Sequence, residues 1–116
     1  MRFSLAMVAL IFAGSLFAES QYKLDLGASV EHGSLKVEPQ LSGPAGKALR
    51  YEMEVKREGR GGTSNSSQSG TVQLDNQGHA QLASNSVSVT PADTYRVTVR
   101  VFDGGRVVAE QSTRYP

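Results

Sequence analysis

The sequence predicts an all-β chain, an immunoglobulin-like seven-stranded antiparallel β-sandwich, on three observations. In Thr94–Phe102, Tyr95, Val97, Val99 and Val101 fall on one side of an extended chain and Arg96, Thr98, Arg100 and Phe102 on the other. Ala48–Glu58 alternates in the same way, setting Leu49, Tyr51, Met53 and Val55 against Arg50, Glu52, Glu54 and Lys56. Further short β-rich segments recur between turn residues, and the region beyond the first twenty or so residues carries no helical period. Burying the four apolar residues of Thr94–Phe102 is worth about 6–12 kcal/mol as an upper bound, while the opposite face gains nothing from folding.

The segments follow in order. Tyr22–Val30 is the first strand, with a break expected at Gly27, and His32-Gly33 is a turn. Ser34–Leu41 is the second; Pro39 lacks a ladder donor and implies an edge position or a bulge. Ser42–Gly46 is loop and Ala48–Glu58 the third strand. Gly59–Gly70, rich in Gly and Ser, has too little apolar surface to bury and is expected to be a mobile loop. Thr71–Leu74 is the fourth strand, Asp75–Gly78 a turn, and Ala80–Val89 the fifth, with a shift of parity between Leu82 and Val87 that predicts a bulge or break near Asn85. Thr94–Phe102 is the sixth strand, Asp103-Gly104-Gly105 a hairpin turn, and Arg106–Thr113 the seventh. Pro91–Tyr95 has the form of a tyrosine corner, in which the hydroxyl ties back to nearby backbone.

Residues 1–20 read as a signal peptide. Arg2 precedes the uncharged run Phe3–Ala18, and the small residues Ala13, Gly14, Ser15, Ala18 and Ser20 place cleavage near 18–20. The run falls short of the about 20 residues that a membrane-crossing helix needs. The domain is then 21–116. The formal charge of the whole chain is +1 and the leader removes Arg2, so the mature protein is close to neutral, which argues against nucleic acid or an anionic membrane as partner. With 0 Cys there is neither a disulfide nor a lipidated cysteine, and stability rests on packing.

Catalytic signals are lacking. His32 and His79 each stand beside a Gly in a predicted turn, with no partner at metal-ligand spacing. There is no Gly-x-Ser-x-Gly elbow, and Gly59–Gly62 lacks the Gly-Lys-Ser/Thr ending of a phosphate loop. We therefore expect no enzyme, no cofactor and no metal. Attention moves to the outward face, where the third and sixth strands of such a sandwich are antiparallel neighbours. Arg50, Lys56, Arg96, Thr98, Arg100 and Phe102 share it, with Phe102 expected to be exposed. Arg96 and Arg100 lie about 13 Å apart at 3.3 Å per residue, a row that suits an extended polypeptide better than a small molecule. The bland reading is a solvated face of cross-strand Glu–Arg pairs worth about 0.2–1 kcal/mol each. A secreted adhesion or glycan/protein-binding module is the alternative function, weakened because Gly59–Gly70 has no aromatic residue.

Leu49–Gly59, the Gly/Ser/Gln stretch to Gly70, the approach Val87–Asp93, and Tyr95–Gly104 with the short Gln/Ser-containing last strand together resemble the CsgC/CsgH group of curli assembly inhibitors. One branch carries Cys-x-Cys on the third strand; here Ala48-Leu49-Arg50-Tyr51 has none, so CsgH is the nearer match and thiol chemistry is out. The resemblance implies a periplasmic, immunoglobulin-like chaperone that keeps a disordered curli-type amyloid subunit, CsgA, from polymerising before export; separately, we expect the protein to be a monomer. Such a client would meet the arginine-bearing face, or else add as a strand at an edge such as Arg106–Thr113.

Overall fold

A computed structural model describes residues 21–116, so the expected signal peptide lies outside the described residues. The chain forms β1 (Lys23–Asp25), β2 (Ala28–Glu31), β3 (Ser34–Val37), β4 (Gln40–Ser42), β5 (Ala48–Gly59), β6 (Gly62–Gln73), β7 (His79–Gln81), β8 (Asn85–Ser88), β9 (Thr94–Asp103) and β10 (Arg106–Tyr115). Three of the seven expected strands are each interrupted once. β1 and β2 are separated at Gly27, which takes φ +57°, and β3 and β4 at Glu38-Pro39. The breaks face each other, and the Glu38 N–H donates to Leu26 O at 3.1 Å, so pairing continues through them. β7 and β8 are parted at residues 82–84, close to the expected break near Asn85, and the Leu82 N–H donates to Pro39 O at 2.9 Å.

One layer therefore holds β1-β4-β7 and β2-β3-β8 end to end, and the other is the four-stranded sheet β10-β9-β5-β6. Pro39 sits in the middle strand of its layer and not at an edge; the interruption of the strand is what accommodates its missing N–H. The hairpin turn between β2 and β3 uses His32 at φ 50° and Gly33 at φ 76°.

Two expectations are corrected. Gly59–Gly70 is no loop: β6 begins at Gly62 and pairs with β5 in unbroken register, from Gly59↔Gly62 to Ala48↔Gln73. A strand polar on both faces shows no hydropathy contrast, and β6 owes its state to the backbone ladder that the long β5 offers. The same pairing changes the arrangement of the layers. In a constant-type sandwich the fourth strand joins the layer of the first two; here it joins β5.

The core lies between the layers. Leu24, Leu26, Leu35, Val37 and Leu41 come from one side and Leu49, Tyr51, Met53, Val55, Tyr95, Val97, Val99 and Val101 from the other, all buried. In β10 the register shifts between Val107 and Ala109, and both Val108 and Ala109 are buried there. Among the described residues no helix is long and apolar enough to cross a membrane.

Candidate functional site

The inward valines of β9 hold its other face rigid and outward. Register with β5 pairs Arg50↔Phe102, Glu52↔Arg100, Glu54↔Thr98 and Lys56↔Arg96, so the six residues singled out from the sequence share one surface. β10 extends that surface with Glu110↔Arg100, Ser112↔Thr98 and Arg114↔Arg96.

The two central arginines differ in their surroundings. Arg100 Nε donates to Glu110 Oε2 at 2.9 Å, which neutralises it locally. Arg96 has no ion-pair partner among the described residues, and neither has Arg114 beside it. With Lys56, which reaches Glu58 at 3.4 Å, they form a row of three cations across β10, β9 and β5. Lys56, Glu58, Thr94, Arg96 and Arg114 line a shallow recess of about 360 Å³ at that end of the sheet. Thr98 bonds Ser112 through their hydroxyls at 3.2 Å. Sequence reasoning missed Arg114, because the last strand runs to Tyr115 and not only to Thr113; the outward alternation Glu110, Ser112, Arg114 was the available signal.

Phe102 is half-buried, not exposed as expected: the Arg50 guanidinium lies 4.4 Å from its ring centroid, and Arg50 also reaches Glu52 at 3.0 Å. The positive charge takes the electron-rich ring face and covers it. Toward β6, Glu52, Glu54, Ser67, Ser69 and Arg100 border a second recess of about 300 Å³, where small serines leave room beside the carboxylates.

The other face of the sheet ends in a structural clamp. Arg57 Nε donates to Asp93 Oδ2 at 2.9 Å, and Asp93 is buried. The hydrogen bond and charge of Asp93, helped by Tyr95, raise the Arg57 pKa. Tyr95 is buried with its ring tilted 41° against Tyr115 at 6.5 Å. No group of three or more His, Asp or Glu among the described residues is placed to hold a metal ion.

Comparison with known proteins bears on this architecture. In its solution structure, CsgH of R. palustris matches with a TM-score of 0.58 at 17% identity, over 81% of this chain and 90% of that one. The E. coli curli protein CsgC matches with a TM-score of 0.57 at 22% identity, over 84% and 98%. By fold the two branches are thus about equally similar to the chain. A glycosyl hydrolase family 2 member from Bacteroides cellulosilyticus also matches, at 15% identity and a TM-score of 0.54, but over 14% of its own chain, a likeness of fold alone. No curated protein matches the sequence. A family model described as thin aggregative fimbriae synthesis protein matches residues 20–113, and the chain belongs to that family, Tafi-CsgC.

Proposed function

We propose that this chain is a periplasmic, chaperone-like inhibitor of amyloid polymerisation, acting as a monomer on a disordered curli-type subunit and exported by residues 1–20. Its family is one of fimbriae synthesis, and a curli protein is among its structural neighbours. The observation that carries the reading is the row Arg114, Arg96 and Lys56. Like charges directly opposite on neighbouring strands are destabilising, so three cations abreast on a stiff sheet, two of them unpaired, are better explained by a partner than by folding.

The client such a face fits is an extended, Gln/Asn-rich chain whose hazard is edge-to-edge strand addition. Unpaired cations speed encounter, and many small polar contacts hold the chain briefly without a deep pocket. Arg96, Arg100, Arg50, Lys56, Thr98 and Phe102 form the client surface, and the structure adds Arg114 as their neighbour. The test is an amyloid lag-time measurement with the double variant Arg96→Ser, Arg100→Ser. Loss of inhibition in a folded variant supports the surface; inhibition equal to that of the parent protein dismisses it.

A further inference from the structure

Natural sheets blunt their edges with charges, proline, bulges or shortness. In the four-stranded layer β10 does so: it carries Arg106, Glu110 and Arg114, bulges between Val107 and Ala109, and has β1 against it. The edges of the opposite layer are cut into short pieces at Gly27 and at residues 82–84. β6 uses none of these devices. Over its 12 residues it has no charge, no proline and no irregularity of register, and at about 3.3 Å per residue it spans about 40 Å. Alternate residues turn their N–H and C=O away from β5 toward the open side.

We propose that the free edge of β6 takes up an extended polypeptide segment rich in uncharged polar side chains, by strand addition. This rests on the function proposed above and adds how the client is gripped once the arginine face has drawn it in. The occupant's chemistry follows from the strand. Thr63, Asn65, Ser67, Ser69 and Thr71 share the outward face, and their short or neutral polar side chains offer neither an apolar pocket nor a fixed charge to an incoming strand. One strand further in, the exposed Glu54 has no ion-pair partner among the described residues, and it borders the recess at Ser67 and Ser69. An amide N–H from a Gln or Asn side chain is the donor that suits it. Backbone hydrogen bonds then supply the grip with little demand on sequence. A second copy of β6 fits less well, because Val72 is the strand's sole apolar side chain and self-pairing would bury almost no apolar area.

The experiment follows amide hydrogen exchange of the purified protein with a synthetic peptide of Gln, Asn, Ser and Gly as long as β6. At a peptide concentration about nine times its Kd, the edge-facing amides of Thr63–Gln73 should exchange about tenfold more slowly. The double variant Ser66→Lys, Gln68→Lys places charges on the exposed underside of β6, away from the arginine face, and should abolish the slowing. Slowing confined to β5 and β9, or slowing of β6 that needs only more protein and no peptide, overturns the edge. Should exchange at β6 be unaffected while the protein still lengthens the amyloid lag, the edge is wrong and the face stands; if the lag is unaffected too, both readings fall.

Discussion

Arg96 and Arg100 stand on the same strand face, yet only Arg100 is matched, by Glu110 at 2.9 Å. An exposed cation between Lys56 and Arg114 contributes no attraction to folding, so Arg96→Ser should change the unfolding free energy by less than about 0.5 kcal/mol in urea titration. A larger loss would mean that Arg96 is structural. Gly59 presents the opposite case. A Cβ there would run into the Asp93 carboxylate, which is buried and fixed by Arg57. Gly59→Ala should therefore destabilise by about 1–3 kcal/mol, as overpacking does, in the same titration. Asp75 gives the pH test. Its carboxylate accepts the backbone N–H groups of Gln77 and His79, both at 2.9 Å, and these bonds lower its pKa from the usual 3.8. A lowered folded value means that the stabilisation is complete above 3.8 and drains as pH falls through the folded value. The melting temperature of the parent should exceed that of Asp75→Ala at neutral pH, and the gap should close well below about pH 4. A gap that does not narrow as the pH is lowered contradicts this assignment.

At the scale of the elements, β5 and β9 were legible because each alternates strictly, and their inner residues Met53, Val97, Val99 and Val101 are at most 1% exposed. Met53→Ala should cost about 2–5 kcal/mol in chemical denaturation, the usual range for emptying a core site. β6 was not legible. Gly, Ser and Asn are turn formers in isolation, and only the presence of a long partner strand tells the chain to extend. The candidate face was half legible for the same reason. Alternation put Arg50, Lys56, Arg96, Thr98, Arg100 and Phe102 on one side, but the Arg100–Glu110 pair depends on the register of β10, which a bulge resets. The cover of Arg50 over Phe102 likewise belongs to cross-strand pairing.

For the whole molecule, the seven-strand sandwich followed from patterns of period two and turn chemistry, with Gly27 marking its first interruption. The layer chosen by the fourth strand did not follow, since β6 carries Val72 as its one apolar side chain and so has no hydropathy pattern to assign it to either layer. The result is a four-stranded sheet whose outward face gathers Lys56, Arg96 and Arg114 at one end and carries the carboxylates Glu52 and Glu54 toward β6. Attraction across such a surface is screened within about 10 Å at 0.1 M salt. Inhibition of fibre growth should thus weaken with ionic strength more in the parent than in the Arg96→Ser, Arg100→Ser variant, when each is compared with subunit alone at the same salt. The most direct test of the proposed function is a thioflavin time course of a curli-type subunit with and without the purified protein. A prolonged lag at or below equal concentration is the predicted result, and an identical time course at equal concentration would contradict it.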